Sequence, residues 1–317
     1  MELLFMEPVL KHNIWGGKKL REEYGYQEQG DDIGECWGIS AHPNGDCQIK
    51  EGTYKGSTLS WLWQNKPELF GKTKEDTAGT VFPLLIKIID AKDDLSIQVH
   101  PDDAYAYAHE NHSLGKTECW YILDCAPDAE LVIGHNARDQ KELEMMIRGA
   151  RWNDFIRRVP VKKGDFIQID PGTVHAIKGG ITLIETQQNS DITYRVYDYD
   201  RLSDGKPREL HIEKSIDVIK TPADDAQKSV IDTSNLQVNQ LNTLYNCSYY
   251  QIFEIKVNGT VEFPKKVPYL LMSVVEGCGM VNDHSVKKGD HFIVPAGVEQ
   301  LRCTGNFELI ASSEPAE

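Results

Sequence analysis

Side chains that can bind a metal ion are grouped in three short segments of this 317-residue chain. In the segment LSIQVHPD, Gln98 and His100 stand two residues apart, so on a β-strand they face the same side. The segment GKTECW places Lys116 and Glu118 on one face by the same period. His175 follows a Pro-Gly corner farther along the chain. Gln98, His100, Glu118 and His175 would together form a site of mixed nitrogen and oxygen ligands.

This ligand set suits zinc, because two imidazoles, one carboxylate and one amide oxygen leave a position for water or substrate. Since the set contains no thiolate, manganese, iron and cobalt are alternatives. Each residue also has an ordinary structural interpretation. A QxH pair is commonly a polar pair on a strand, Glu118 could be an exposed or paired carboxylate, and His175 a hydrogen-bonded turn residue. The spacing alone leaves both interpretations open.

Another polar segment, ITLIETQQNSDITYRVYD, continues an apolar strand and contains Arg195 in β-rich surroundings. A guanidinium in such surroundings requires an anionic partner. A structural partner would be Glu185 or Asp191. A functional partner would be a substrate oxygen or a phosphate, which the planar guanidinium fork suits.

The elements that must position these residues are mostly β-strands. The strand-like runs are rich in β-branched and aromatic residues and are separated by Gly, Pro, Asp and Asn, which predicts a sandwich or jelly roll. Two helices are predicted, at residues 57–69, opened by Ser57 or Thr58, and at residues 139–158. The predicted strands lie in FPLLIKIID, LSIQVH, ECWYIL, ELVIGH, DFIQID, ITLIET and TYRVYDY.

The chain also contains a weak internal sequence repeat. A Lys-Lys-Gly-Asp turn precedes FIQIDPGTVHAI at residues 162–165 and precedes HFIVPAGVEQLR at residues 287–290. The shared order of turn, strand and Pro/Gly corner favours two related barrels. The polar stretch 222–240 is the predicted linker. We therefore expect an N-terminal domain at residues 1–225 and a second barrel at 240–317, which has Glu299 and Gln300 where the first has His175.

Composition narrows the possible partners and location. The net charge of −15 argues against binding to nucleic acid or to an anionic membrane, although a local basic pocket can still hold one phosphate. The first residues lack a signal-peptide core, and no apolar run approaches the length of a membrane span. The seven cysteines are scattered without a CxxC pair. We expect reduced thiols and a cytoplasmic protein.

Taken together, these segments resemble the type I mannose-6-phosphate isomerases, in their compact bacterial form. This family belongs to the cupin superfamily of metalloenzymes. The resemblance covers most of the chain, and its QVHPDD and ETQQNSDxTYRxYD phrases are far more specific than a general cupin pattern. The matching phrases are ECW with HPNG, PLLIKIIDAKDDLSIQVHPDD, GKTECWYIL and PGTVHAIKGGITLIETQQNSDITYRVYDYDR.

The resemblance implies a mainly β fold of two cupin-like jelly-roll barrels with a few short helices, the second barrel degenerate and without metal ligands. It implies one zinc ion per chain, bound by Gln98, His100, Glu118 and His175. Arg195 would be the active-site arginine, and Lys116 and Glu185 would line the same pocket. Weaker candidates for binding the substrate phosphate are Ser96, Lys87 and Arg201.

The implied reaction interconverts mannose 6-phosphate and fructose 6-phosphate through a cis-enediol. Lys116 or Glu185 is the candidate proton shuttle, and the sequence does not choose between them. A metal-dependent cupin oxygenase and a non-catalytic sugar-phosphate-binding cupin are the alternatives. The general cupin corner has its histidine five positions after proline, whereas Pro171 and His175 are four apart. A monomer or a weak dimer is expected.

Overall fold

Strands dominate the computed structural model, which describes residues 2–315. All seven strand-like runs noted in the sequence form strands, among them Glu118–Asp124 and Ile181–Gln188. The prediction of a mainly β fold is therefore confirmed.

Two facing sheets form the N-terminal barrel. Along the strand Glu118–Asp124, Trp120 and Ile122 point into the barrel, while Cys119 and Tyr121 point outward. This alternation follows from the two-residue period of a strand, and it divides each sheet into an inner and an outer face. In spatial order, one sheet contains Val230–Ile231, Phe166–Ile169, Glu118–Asp124, Ile181–Gln188, Leu84–Ala91, Val9–Gly17 and Ile33–Ile39, and the other contains Ile156–Pro160, Glu130–His135, His175–Ala176, Ile97–Val99 and Tyr194–Tyr197.

A single eight-stranded sheet forms the second barrel and encloses its own apolar core. The repeated turn has the same hydrogen bond in both barrels. Asp165 Oδ2 accepts from the backbone N–H of Lys162 at 2.9 Å, and Asp290 Oδ2 accepts from that of Lys287 at 2.8 Å. The strands are Asn242–Asn246, Gln251–Pro264, Gln300–Ser313, Leu270–Val281, His291–Val294, Leu4–Glu7 and Gln48–Ile49 in spatial order, with His284–Lys287 beside Leu270–Val281.

Two strand pairings depart from a simple division of the chain into a first barrel, a linker and a second barrel. The N-terminal strand Leu4–Glu7 lies in the second barrel, where Leu4 pairs with Ile293. The short strand Val230–Ile231, inside the stretch 222–240, pairs with Phe166–Ile169 at the edge of the first barrel. The boundary between the two barrels therefore does not fall at a single point in the sequence.

The helices correct the sequence prediction in two places. The helix predicted at 57–69 is Leu59–Asn65, capped by Thr58, whose side chain accepts from the N–H of Trp61. The single helix predicted at 139–158 is wrong, because Ala150 adopts a positive φ of 52° after Gly149 and ends it. The described helices are Lys19–Glu22, Leu59–Asn65, Lys74–Thr77, Asp103–His109, Gln140–Arg148, Trp152–Phe155 and Ile212–Val218, with 3-10 turns at Pro67–Phe70 and Ala226–Lys228.

Ile156 explains why the second helix was predicted to extend to residue 158. Its position fits a helical period, but it begins the strand Ile156–Pro160, which pairs with Glu130–His135. The helices before and after the strand Ile156–Pro160 cover the outer face of the five-stranded sheet, where Val99 packs with Leu143 and Phe155. The outer face of the seven-stranded sheet packs instead against the second barrel. The inner faces remain to hold a site.

Candidate active site

The candidate site lies at inward positions of the N-terminal barrel. Lys87 alternates with outward Ile86 and Ile88, and Glu185 follows outward Ile184. In the five-stranded sheet, outward Tyr194 and Val196 flank Arg195, just as outward Ile97 and Val99 flank Gln98. The strand register places Arg195 beside Gln98 and Gln98 beside His175. The two-residue period therefore points residues from distant parts of the sequence into the space between the two sheets.

Three of the predicted metal ligands converge. One ligand atom each from His100, Glu118 and His175 lies within 4.8 Å of the others, and all three side chains are buried. His100 Nε2 is 3.3 Å from one oxygen of Glu118, and His175 Nε2 is 3.3 Å from the other oxygen. The side-chain amide of Gln98, the fourth predicted ligand, lies 3.2 Å from Nε2 of His175.

Backbone carbonyls fix the tautomers of both histidines. Nδ1 of His100 donates to the carbonyl of Ile192 at 2.8 Å, and Nδ1 of His175 donates to that of Thr173 at 2.9 Å. A neutral imidazole that carries its proton on Nδ1 presents a lone pair at Nε2. Such carbonyl partners are the usual second layer of a metal-binding histidine.

The donor set fits a metal ion. Burial, with the nearby ammonium of Lys116, lowers the pKa of His100 to about 3, and burial also lowers the pKa of His175. Burial acts to raise the pKa of Glu118, but Lys116 and the imidazoles outweigh it and hold that pKa well below its usual range. Among the described residues, none forms a hydrogen bond with the buried Oε1 of Glu118. Two imidazole lone pairs and a carboxylate that face one another suit a metal ion, and the ammonium of Lys116 supplies positive charge beside them.

A chain of alternating charges continues from these ligands. The ammonium of Lys116 contacts Glu118, lies 3.0 Å from His100 Nε2, and lies 3.8 Å from Oε1 of Glu185. Lys87 Nζ lies 3.6 Å from the same oxygen of Glu185 and 3.8 Å from Glu35. These buried groups are mutually paired, which offsets part of their desolvation.

Glu185 differs from Glu118 in its protonation behaviour. Burial and the neighbouring carboxylate of Glu118 raise the pKa of Glu185, despite the two lysines. Burial acts to lower the pKa of Lys87, but Glu35 and Glu185 outweigh it and raise that pKa. Two carboxylates in one site whose environments shift their pKa values in opposite directions are typical of divided acid–base roles. Of the two carboxylates, Glu185 is the one whose surroundings favour the protonated form.

A cavity of about 290 Å³ opens onto this charge network. Its size is close to the lower end of the range for small-molecule sites. Ser96, which the sequence proposed for phosphate, is buried and lies in the wall. The wall is formed by Asn13, Trp15, Glu35, Lys87, Ile89, Leu95, Ser96, Gln98, Lys116, Ile177, Glu185, Asp191, Thr193, Arg195 and Arg208.

Arg201, the third phosphate candidate, lies outside the set of residues that line the cavity in the described part of the chain. Its three guanidinium nitrogens donate to the backbone and side chain of Asp198 and to the carbonyl of Asp94. Arg208 lines the cavity in its place. Both arginines lie in the same polar loop, so the sequence offered no signal to choose between them.

Arg195 faces the cavity with spare hydrogen-bonding capacity. Nη1 donates to the carbonyl of Glu209 at 2.8 Å, but Nε is buried without a partner. Burial, followed by the charge of Arg208, lowers the pKa of Arg195. Neither Glu185 nor Asp191, the structural partners considered from the sequence, forms an ion pair with it in the described residues 2–315. The remaining capacity of Arg195 is available to an anion.

Five further polar or aromatic residues of the wall were not predicted from the sequence to line a site. Glu35 lies in the quoted phrase ECW, but nothing in that phrase showed that it approaches Lys87. Asp191 accepts from the side chain of Asn44 at 3.0 Å and lies on the rim. Nothing in the sequence singled out the remaining three, Asn13, Trp15 and Thr193, as residues of the wall.

Fold and site together define the class of protein. A histidine-carboxylate cluster inside one of two β-barrels, with acid–base groups around a small cavity, is the arrangement of a cupin enzyme. No helix within residues 2–315 is long and apolar enough to cross a membrane.

Comparison with known proteins identifies the family. Residues 3–123 match the phosphomannose isomerase type I catalytic domain, and residues 240–314 match the mannose-6-phosphate isomerase cupin domain. The chain is 47% identical over 316 residues to mannose-6-phosphate isomerase ManA of Bacillus subtilis, with 98% of each chain covered. It is 44% identical over 318 residues to mannose-6-phosphate isomerase of Streptococcus mutans, again with 98% of each covered. The chain belongs to the type I phosphomannose isomerase family, and it is an isomerase.

Solved structures agree with this placement. The crystal structure of mannose 6-phosphate isomerase from Bacillus subtilis superposes with a TM-score of 0.92 at 43% identity, covering 99% of this chain and all of that one. Variants of phosphomannose isomerase from Salmonella typhimurium superpose with TM-scores up to 0.80 at 15% identity, which shows a shared fold. The expectation of a cupin fold is confirmed.

Proposed function

We propose that this protein interconverts mannose 6-phosphate and fructose 6-phosphate, using one zinc ion held by Gln98, His100, Glu118 and His175. The observation that carries the proposal is the position of Glu185. This carboxylate has a raised pKa and lines the same cavity as Gln98, one of the proposed ligands. When bound, zinc would polarise a substrate oxygen at the reacting carbons and stabilise charge that develops there.

Glu185 is the better of the two candidates for moving the carbon-bound proton. Its Oε2 accepts from the indole N–H of Trp120 at 2.9 Å, whereas its buried Oε1 has no hydrogen-bond partner in the part of the chain that the structure describes. Lys116 contacts Glu118 as an ion pair, and an ammonium has no lone pair with which to accept a proton. We assign Glu185 to take the proton from C2 of the aldose and to return it at C1.

Lys116 complements this step at the oxygens. Conversion of aldose to ketose also requires a proton to leave the hydroxyl on C2 and to reach the oxygen on C1. The ammonium of Lys116 borders both Glu118 and Glu185. It can donate a proton to the oxygen on C1 as charge builds there, and the amine that remains can accept the proton that leaves the hydroxyl on C2. Protons are conserved overall, because one moves between carbons and one between oxygens.

Arg195 and Arg208 are assigned to the anionic parts of the substrate. Arg195 lies beside Gln98 in the sheet, so we assign it to the oxygens near the reacting carbons, where its fixed charge stabilises the enediolate. Arg208 and Ser96 also line the cavity, and we assign them to the phosphate. Lys87 is already paired with Glu35 and Glu185, which makes it a weaker phosphate ligand than the sequence implied.

Isotope transfer tests the proposed reaction. Mannose 6-phosphate deuterated at C2 is incubated with the zinc-loaded protein and followed by proton NMR. The proposal predicts that deuterium reaches C1 of fructose 6-phosphate or is lost to water, with no consumption of oxygen. Tight binding with the label fixed at C2 would instead indicate a non-catalytic sugar-phosphate-binding protein, and oxygen uptake would indicate an oxygenase.

A further inference from the structure

A buried carboxylate lies at the base of the loop that follows the strand Tyr194–Tyr197. Asp198 is 4% exposed and accepts hydrogen bonds from two guanidinium groups. Its Oδ2 accepts from Nε of Arg208 at 2.8 Å, and its Oδ1 accepts from Nη2 of Arg208 at 2.5 Å and from Nη2 of Arg201 at 2.6 Å. Charge-assisted forks of this kind fix the plane of a guanidinium.

The loop geometry brings both arginines to this carboxylate. Tyr199 and Asp200 both adopt positive φ, 57° and 55°, and turn the chain sharply after Asp198. The strands Leu202–Ser203 and Lys206–Pro207 then form a hairpin. Arg201 immediately precedes this hairpin and Arg208 immediately follows it. Because Asp198 bonds both arginines, it connects the two ends of the hairpin.

The two arginines are not equivalent. Every guanidinium nitrogen of Arg201 donates to a protein oxygen, which leaves it a structural role. Arg208 bonds Asp198 through Nε and Nη2 only, and its Nη1 has no hydrogen-bond partner in the part of the chain that the structure describes. Because Arg208 lines the cavity, this unused edge is the one available to a ligand.

We propose that Asp198 is a positioning residue that holds Arg208 in the orientation needed to bind the substrate phosphate, and so sets the preference for phosphorylated over unphosphorylated hexoses. The inference rests on the proposed function. Two guanidinium groups share one carboxylate, so these three side chains together keep one net positive charge, which favours a phosphate dianion. A guanidinium fixed in advance loses less freedom when it binds.

Asp198→Asn tests the inference, with Asp200→Asn as its matched control. Asp200 is exposed, lies in the same loop and contacts Tyr197 rather than either arginine. For Asp198→Asn we expect the KM for mannose 6-phosphate to rise about 10-fold and kcat to change less than about twofold. Affinity for inorganic phosphate, measured by calorimetry on the zinc-loaded protein, should fall by a similar factor. The control should match the wild type in all three.

A double-mutant cycle with Arg208→Gln shows whether Asp198 acts through Arg208. We expect Asp198→Asn to raise KM less than about twofold further in that background. If the two substitutions raise KM independently, so that their factors multiply in the double variant, the inference is overturned. Unchanged KM and phosphate affinity in Asp198→Asn alone would also overturn it. If Asp198→Asn melts below the assay temperature, Asp198→Glu keeps the charge but displaces Arg208, and it should raise KM in a folded protein.

Calorimetry separates this inference from the proposed function. Phosphate binding that depends on Asp198, in a wild-type protein without turnover, would support the positioning role and contradict the isomerase reaction. Normal turnover in both proteins with identical phosphate affinity would contradict only the positioning role.

Discussion

Trp120 donates its indole N–H to Oε2 of Glu185 at 2.9 Å, across two paired strands of the N-terminal barrel. The bond leaves Oε1 of that carboxylate facing the ammonium groups of Lys87 and Lys116, at 3.6 and 3.8 Å. One oxygen is thus held by the barrel wall and the other lies among the groups that would handle protons. This division is the structural basis of the proton-transfer role assigned to Glu185.

Replacing that carboxylate by an amide should stop proton transfer without removing the fold. We expect Glu185→Gln to lower kcat by about 10²- to 10⁴-fold, the usual contribution of a positioned general base. Zinc content should stay near wild type, because Glu185 is not among the proposed ligands. Retention of more than about a tenth of the wild-type kcat would contradict the assignment.

The hydrogen bond from Trp120 should appear in the pH profile. It stabilises the charged form of Glu185, so its loss in Trp120→Phe should raise the carboxyl pKa further above its ordinary value. Because the base must be ionised, the acid limb of kcat should move to higher pH. An acid limb that stays in place, in a folded variant, would show that this carboxylate does not control it.

Arg195 should matter for turnover far more than for stability. Within residues 2–315 its Nε has no hydrogen-bond partner and its guanidinium bonds to a backbone carbonyl rather than to a carboxylate, so little folding energy depends on it. We expect Arg195→Ala to reduce kcat about 100-fold, in line with loss of one electrostatic stabiliser. The matched control is Arg158→Ala, an exposed arginine near Glu130 that should keep full activity. Near-normal turnover in purified, folded Arg195→Ala would contradict the role.

Loss of one proposed ligand should weaken metal binding. Removal of an outer partner of a metal ligand typically costs 10- to 100-fold in affinity, so Glu118→Gln should weaken zinc binding by more than about 100-fold. Competition with a chelator and elemental analysis measure this directly, without reference to activity. His109→Gln, a substitution of an exposed histidine, is the control and should bind zinc normally. Undiminished zinc affinity in Glu118→Gln would exclude that carboxylate as a ligand.

A histidine of the second barrel should make folding sensitive to acid. His291 is 1% exposed, its ring nitrogens contact Ser273 Oγ at 2.7 Å and Tyr26 Oη at 2.8 Å, and burial lowers its pKa to about 3. An unfolded histidine titrates near pH 6.5. Between pH 6.5 and about 3 the unfolded chain binds the extra proton, so the free energy of unfolding falls as the pH is lowered.

Replacement of that histidine should reduce this dependence. In His291→Gln we expect the slope of unfolding free energy against pH to decrease by up to about 1.4 kcal/mol per pH unit in that interval. Urea unfolding at a series of pH values measures the slope. Exposed His109→Gln should leave it as in the wild type, and an unchanged slope in His291→Gln would contradict the burial argument.

Strand periodicity made much of the barrel predictable from sequence. Gln98 and Glu118 are inward because their neighbours Val99 and Cys119 are apolar and outward, a pattern visible without coordinates. The break at Ala150 was not visible, because the apolar spacing continued through it and only the pairing of Ile156–Pro160 with a distant strand decided the outcome. The local sequence pattern therefore predicted which face of a strand a residue occupies better than it predicted where a helix or strand ends.

The finer assignments depended on contacts between distant residues. Whether Arg201 or Arg208 reaches the cavity is decided by the positive φ angles at Tyr199 and Asp200 and by the shared bond to Asp198. Sequence spacing does not encode that choice. The choice of Glu185 over Lys116 as base likewise required coordinates, because it follows from which atoms are already hydrogen-bonded.

The most direct test of the central claim is a coupled assay of the purified protein that follows fructose 6-phosphate formed from mannose 6-phosphate. The protein is assayed as purified, after chelation, and after zinc is added back. We predict turnover that disappears on chelation and returns with zinc. A folded, zinc-loaded protein that forms no fructose 6-phosphate would contradict the account.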